Sequence, residues 1–164
     1  MPNRRRKERS NTLTRNESYN NGEDSNSDVL DGYVVKRFSN NDKYEGFYFN
    51  GKRCGKGTYI WGSGDKYTGQ WVDGLFHGFG LLELSTGDSF KGHFFKGQPH
   101  GMGVKKHGKT GIRVEGEFVC GEANGFCSKL FQNGDVYVGN LKNGLMHNYG
   151  EYTWSSGDKV SLLL

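Results

Sequence analysis

A sequence pattern repeated five times along the chain constrains its fold more than any other feature. A bulky residue recurs at Tyr44, Tyr67, Phe90, Val114 and Tyr137, at spacings of 23, 23, 24 and 23 residues. A glycine follows two residues after each of them, and a second bulky residue follows two residues after that glycine. Agreement of several columns at one period indicates an array of repeated structural units.

Two further glycine columns mark where each unit turns. They are a turn glycine at Gly51, Gly74, Gly97, Gly121 and Gly144, and a closing glycine at Gly64, Gly87, Gly111, Gly134 and Gly157. Between these glycines apolar residues alternate with period two, which predicts strands, and such frequent glycine disfavours helices. Each unit is therefore predicted to be a β-hairpin. The predicted fold class is all-β: a single-layer, elongated, twisted antiparallel sheet made of consecutive hairpins.

The columns also set the predicted boundaries. The predicted array at 29–164 contains units at 43–65, 66–88, 89–112, 113–135 and 136–158. Residues 32–42 match the second half of a unit and predict a capping half repeat, whereas 159–164 begin a degenerate sixth unit. Residues 1–28 are polar and predict a disordered tail. The apolar C-terminal strand is a pairing hazard, so three alternatives stay open there: it folds over the last hairpin, it mediates self-association, or the natural array is longer.

The second unit, KYTGQWVDGLFHGFGLLELSTGD at 66–88, carries a family resemblance. It resembles the pattern Tyr-x-Gly-x-Trp-x-x-Gly-x-x-x-Gly-x-Gly of the MORN family (membrane occupation and recognition nexus repeats). The fourth unit departs from this pattern at Val114 and Cys127, and the fifth at Asn148. The resemblance implies a non-enzymatic scaffold at the cytoskeleton, a cilium or flagellum, or a membrane cortex. Similar arrays precede lipid kinases and lysine methyltransferases, so a regulatory array is an alternative.

The alternation places the consensus residues on one face of the sheet, where glycine allows rings to lie over the backbone. We expect this aromatic face to form a groove that binds an amphipathic helix or an extended peptide of a protein partner. The predicted groove residues are Tyr44, Tyr48, Tyr59, Trp61, Tyr67, Trp71, Phe90, Phe94, Phe118, Tyr137, Tyr152 and Trp154.

Basic residues suggest a second kind of partner, although the net charge of +4 is modest. The candidate anion or lipid contacts are Arg4, Arg5, Arg6, Lys7 and Arg9 in the tail, and Lys105, Lys106 and Lys109 in the array. Attraction of these residues to acidic phospholipids is an alternative function. A solvated tail and a solvated loop are the simpler interpretations, and we expect no nucleic-acid partner.

The chemistry-bearing residues predict no metal, no cofactor and no enzyme activity. His77, His100 and His147 share one column, but equivalent positions lie about 10 Å apart in successive hairpins, whereas zinc ligands lie about 2 Å from one ion. We interpret these histidines as turn residues. The aspartates at 65, 88, 135 and 158 follow a closing glycine, where we expect each to hydrogen-bond its own backbone.

The cysteines and the apolar content predict a cytoplasmic location. Cys54, Cys120 and Cys127 are odd in number and lack CxxC spacing, which favours a reducing compartment over disulfides or zinc. No apolar run approaches the roughly 18 residues of a membrane helix, and the N-terminus lacks the apolar segment of a signal peptide.

Overall fold

The computed structural model describes residues 30–164 as one antiparallel sheet of 12 strands that lie side by side in sequence order. This confirms the predicted all-β class. The predicted disordered tail at 1–28 lies outside the described residues. The strands are β1 Gly32–Arg37, β2 Lys43–Phe49, β3 Lys52–Ile60, β4 Lys66–Val72, β5 Leu75–Glu83, β6 Ser89–Phe95, β7 Gln98–Lys106, β8 Arg113–Val119, β9 Glu122–Leu130, β10 Val136–Lys142, β11 Leu145–Thr153 and β12 Lys159–Leu163.

Tight turns join the two strands of every unit. In the second unit, Asp73 and Gly74 have φ angles of 51° and 81°, the left-handed pair that a two-residue type I′ hairpin turn requires. The glycine amide also donates a hydrogen bond of 2.9 Å to the carbonyl of Arg53 in the preceding hairpin. Successive turns are thus tied to one another as well as to their own strands.

A row of nine glycines and one cysteine, the glycine row, crosses the sheet perpendicular to the strands. Gly69 of β4 pairs with Gly57 on one side and with Gly80 on the other. A Cβ atom at Gly69 would lie 2.6 Å from both the Cα atom of Gly80 and the hydroxyl of Tyr67. The row therefore needs glycine because its members face each other closely beneath a ring. Its members are Gly46, Gly57, Gly69, Gly80, Gly92, Gly103, Gly116, Cys127, Gly139 and Gly150.

A bulge interrupts the second strand of each unit just before this row. In β5, Gly78 and Phe79 are the extra residues, and Gly78 has a φ of +56°. The fifth unit carries Asn148 at this position with a φ of +55°. Asparagine is among the few side chains that adopt this left-handed conformation readily, which explains the departure from glycine.

The closing turns are linked by aspartate side chains. The carboxylate of Asp42 accepts hydrogen bonds from the Tyr59 hydroxyl (2.5 Å) and from the Gly62 amide (2.8 Å) in the next closing turn. Asp65, Asp88 and Asp135 likewise accept from an amide 20 residues ahead. The expectation that the carboxylates bind their own backbone is therefore wrong for Asp65, Asp88 and Asp135, because each of them joins two successive turns. Asp158 accepts from the Ser156 hydroxyl within its own turn.

The sheet ends in two edge strands. β1 pairs with β2 and places Val34 at the start of the glycine row. β12 pairs with β11 and places Leu162 at its end. The C-terminal strand thus extends the sheet, while Leu163 is 86% exposed. Among residues 30–164 there is no helix that is long and apolar enough to cross a membrane.

Candidate functional site

The ring face is the side of the sheet that carries Tyr44, Tyr67, Phe90, Val114 and Tyr137. In the second unit the Tyr67 ring lies over the glycine row and stacks on Phe76 at 3.8 Å between ring centroids. Trp71 and Phe94 meet the Tyr67 ring edge to face at 5.1 and 5.2 Å. Such aromatic pairs contribute about 0.5–1.5 kcal/mol beyond their buried area. The rings therefore form the hydrophobic core of the sheet, which has no second layer among residues 30–164.

Hydrogen bonds fix the orientation of the tyrosine rings. The Tyr67 hydroxyl donates to the carbonyl of Gln70 at 2.9 Å, and Tyr44 and Tyr137 donate to the equivalent carbonyls of their own units. Burial raises the pKa of Tyr67 to about 12. The pKa of Tyr59 is also raised to about 12, first by burial and then by its hydrogen bond to Asp42.

Most of the predicted groove residues are covered by one another. Nine of the twelve are buried, namely Tyr44, Tyr48, Tyr59, Tyr67, Trp71, Phe90, Phe94, Phe118 and Tyr137. Trp61 and Tyr152 are half-buried, and Trp154 is 43% exposed. Internal packing is thus the role that the structure shows for these rings. Partner binding over the ring face stays a prediction.

Exposed apolar side chains lie instead on the second face, which is the opposite side of the sheet. Phe79, Met102, Phe126 and Tyr149 are each more than half exposed and stand on every second strand, from β5 to β11. Each is the middle residue of the segment that is Gly-x-Gly in the second and third units, Gly125-Phe126-Cys127 in the fourth and Asn148-Tyr149-Gly150 in the fifth. Alternate strands are about 10 Å apart, so these side chains form a row across the sheet.

A groove of about 540 Å³ opens at the N-terminal end of this row. Tyr33 and Phe47 form one wall, with ring centroids 5.3 Å apart, and Phe79 forms the other. The hydroxyls of Thr58 and Thr68 lie 3.2 Å apart between these walls. Sequence reasoning missed this groove, although Phe79 lies between Gly78 and Gly80 and alternation assigns it to the face opposite the consensus residues.

The structure divides the basic residues of the array between the two faces. Lys105 pairs with Val114 and lines a recess of the ring face, whereas Lys106 pairs with Arg113 on the second face. Lys109 lies in the closing turn that follows β7. These lysines therefore do not form one cluster. The basic residues of the tail, Arg4 to Arg9, lie outside the described residues.

The histidine column lies within strands. His77, His100 and His147 belong to β5, β7 and β11, directly before the bulge. Their interpretation as turn residues is therefore wrong. In the second unit the strand pairing includes this position, because His77 pairs with Gln70 directly before the bulge. In the part of the chain that the structure describes, no three His, Cys, Asp or Glu side chains lie close enough to hold a metal ion.

Comparisons with known proteins agree with this architecture. The family model of the MORN repeat matches residues 44–66, 67–89, 90–109, 115–136 and 137–159. No match is found among curated proteins. Among solved structures, the chain resembles the TCP domain of SAS-4 (dCPAP) from Drosophila melanogaster, solved in complex with a proline-rich motif of Ana2 (dSTIL).

The likeness to the TCP domain has a TM-score of 0.50 at 16% identity and covers 80% of this chain and 72% of that one. At this identity the likeness shows a shared fold. The five segments matched by the family model together span well over half of the residues, in the same order and number as the hairpin units. The chain therefore belongs to the MORN repeat family.

Proposed function

We propose that this protein is a non-enzymatic scaffold that binds an extended segment of a protein partner across the second face, with the N-terminal groove as the main contact. The observation that carries this proposal is the row of exposed apolar side chains that ends in the groove between Phe47 and Phe79. Exposed apolar surface of this extent on a folded domain is typical of an interaction site.

The shape of the groove favours an extended peptide over a helix. Aromatic walls with polar groups between them are the arrangement that binds proline-rich segments, which enter it already extended and lose little entropy. The structure of the TCP domain was solved in complex with a proline-rich motif. That complex motivates a proline-rich peptide as the first probe of this groove.

Two other functions remain as weaker proposals. Binding to acidic phospholipids would use Lys105 and Lys106 together, but these residues lie on opposite faces and cannot both meet one flat bilayer. A regulatory role beside an enzyme follows only from the family resemblance. A location at the cytoskeleton, a cilium or a membrane cortex stays a prediction of the same resemblance.

The test combines partner capture with a direct titration. The variant Phe47→Ser with Phe79→Ser removes one exposed ring from each groove wall and is expected to keep the fold by circular dichroism. The unmodified protein is used to capture a partner from cell extract, and mass spectrometry identifies that partner. The variant should no longer capture it. It should also lose binding of a fluorescent proline-rich peptide.

A matched control changes the accessible residues of the ring face. The variant Trp61→Ser with Trp154→Ser should retain both capture and peptide binding. If this control loses the partner while the groove variant keeps it, the ring face is the binding surface and the proposal is wrong.

A further inference from the structure

The fourth unit interrupts the ring layer with a charged gap. One row across the ring face consists of Tyr44, Tyr59, Tyr67, Leu82, Phe90, Lys105, Val114, Lys129, Tyr137 and Tyr152, on successive strands from β2 to β11. Aromatic rings and Leu82 occupy the row from β2 to β6, and two tyrosines occupy it on β10 and β11. Only in its middle do two lysines flank a small side chain, at Val114.

The gap forms a recess of about 310 Å³. Its floor includes Val114, Phe118 and Ala123, which are all buried. Ala123 stands at the position that Phe76 occupies in the second unit, since each pairs with the second bulky residue of its own first strand. The volume lies at the lower end of the roughly 300–1,000 Å³ that is typical of ligand sites.

The recess is positively charged along one side. Lys105 and Lys129 both line it and are half-buried. The Lys105 ammonium makes one long hydrogen bond of 3.5 Å to the carbonyl of Gly121, and the Lys129 ammonium lies 5.2 Å from the centroid of the Phe131 ring. Within residues 30–164 neither lysine forms an ion pair with a carboxylate. Glu122 also lines the recess, but its carboxylate is not within ion-pair distance of either lysine. An anion placed between the two ammonium groups would therefore give each of them an ion pair.

We propose that this recess binds an acidic segment of a protein, with one apolar side chain on the floor and flanking carboxylates at Lys105 and Lys129. The concave floor and its apolar lining favour a side chain over a lipid headgroup. A headgroup would meet basic residues that project from a convex or flat surface, whereas these two lysines are half-buried at the walls of a recess. The site lies on the ring face, so its test is independent of the groove on the second face.

The experiment titrates the full chain with a fluorescent peptide, acetyl-Glu-Asp-Phe-Glu-Asp-amide, and follows fluorescence anisotropy. We expect saturable binding that weakens as salt is raised, because the contacts are ionic. The variant Lys105→Gln with Lys129→Gln should bind at least tenfold more weakly. The matched control Lys106→Gln removes a neighbouring charge on the second face and should bind unchanged.

Two further arms test the apolar floor and the alternative ligand. The variant Ala123→Phe fills the recess without altering its charge and should also bind at least tenfold more weakly. If Ala123→Phe fails to fold, as judged by circular dichroism, the test rests on the binding of the variant Lys105→Gln with Lys129→Gln. The neutral peptide acetyl-Gln-Asn-Phe-Gln-Asn-amide should not bind.

Five results would overturn the proposal: no binding of the acidic peptide, equal binding of the neutral peptide, no weakening by Lys105→Gln with Lys129→Gln, equal weakening by Lys106→Gln, or no weakening by a folded Ala123→Phe. Vesicles with acidic phospholipid provide the last arm. If the acidic peptide does not bind, and the vesicles bind the unmodified protein but not the variant Lys105→Gln with Lys129→Gln, the recess is a lipid site instead.

Discussion

The second and fourth units fold alike but build their cores from different side chains. In the second unit the Tyr67 ring covers the pair Gly69 and Gly80, and a Cβ atom at either glycine would collide with that ring. In the fourth unit the position of the ring is taken by Val114, and the second glycine is replaced by Cys127. Cys127 is nevertheless only 1% exposed. The Cys127 sulfur lies 2.7 Å from where a Cβ atom on Gly116 would stand, so the thiol fills the space over the glycine row, while the recess opens beside Val114.

The replacement also preserves a hydrogen bond. The Tyr67 hydroxyl donates to the carbonyl of Gln70 at 2.9 Å, three residues further along the chain. In the fourth unit the Cys127 thiol donates to the carbonyl of Glu117, which is the equivalent residue, at 3.7 Å. The comparison teaches that the second and fourth units share a filled and hydrogen-bonded space above the row, although different strands supply the side chain. In the third unit the Phe90 ring fills this space without a hydroxyl.

The glycine row should be the least tolerant part of the second unit. Gly69→Ala would place a methyl group 2.6 Å from the backbone of Gly80, and such overpacking is expected to cost about 3 kcal/mol of unfolding free energy. The control Gly74→Ala meets no atom within 4 Å and should cost only about 1 kcal/mol, for its left-handed φ. Urea denaturation measures both. Equal losses would show that close packing over the row is not what requires glycine.

Removing the hydroxyl of Tyr67 should have a smaller effect. Tyr67→Phe deletes one hydrogen bond and should cost about 1 kcal/mol at neutral pH. Burial raises the pKa of Tyr67 from 10.0 to about 12. The stability that the neutral hydroxyl contributes is therefore complete below pH 10 and is lost as the pH rises toward 12. The variant should therefore lose less stability than the unmodified protein over that range. Thermal unfolding from pH 8 to 12 tests this, with Tyr149→Phe on the second face as the control. An unchanged alkaline decline in Tyr67→Phe would contradict the account.

The aspartates that close the two units should differ in importance. Asp135 accepts from the Tyr152 hydroxyl at 2.6 Å and from the Ser155 amide at 2.8 Å, whereas Asp88 accepts one such inter-turn bond, from the Gly108 amide. These bonds lower the pKa of both carboxylates. Their stabilisation is thus present above the ordinary value of 3.8 and is lost as the pH falls through the lower folded value.

Asp135→Asn should therefore lower the thermal midpoint at pH 7 more than Asp88→Asn does. It should also flatten the acid decline of stability more strongly. Thermal unfolding of both variants between pH 2 and 7 is the measurement. A larger effect of Asp88→Asn would mean that the bond from Tyr152 contributes nothing.

The smallest expected effect concerns reactivity rather than stability. Burial raises the pKa of the Cys127 thiol and shields it, while Cys120 is exposed in a hairpin turn. Iodoacetamide at pH 8, followed by peptide mass mapping, should modify Cys120 much faster than Cys127. Similar rates would show that Cys127 does not fill the core of the fourth unit.

The sequence predicts the strands and the face of each ring because both follow from local rules. Alternation fixes which side chains share a face, and the glycine columns mark the turns. It does not predict that Tyr67 and Trp71 bury each other, since that depends on how flat the rings lie over the glycines. Nor does it show that the Asp42 carboxylate reaches the next turn, a contact between residues 20 positions apart.

The sequence shows that the fourth unit has Val114 in place of the tyrosine and Cys127 in place of the second glycine. The sequence does not show what the exchange does, because the pairing of Cys127 with Gly116 depends on the register of β8 on β9. The alternation along β7, by contrast, already places the consecutive residues Lys105 and Lys106 on opposite faces and divides a basic cluster that looks continuous in the sequence.

A double-mutant cycle in the second unit measures the central claim most directly. Tyr67→Val removes the ring and Gly80→Cys adds a thiol beneath it, and each change alone should cost about 3 kcal/mol of unfolding free energy. Together they recreate the fourth unit, so the double variant should be more stable than the sum of the single losses by about 2 kcal/mol. Strictly additive losses in urea denaturation would contradict the claim that ring and thiol fill the same space.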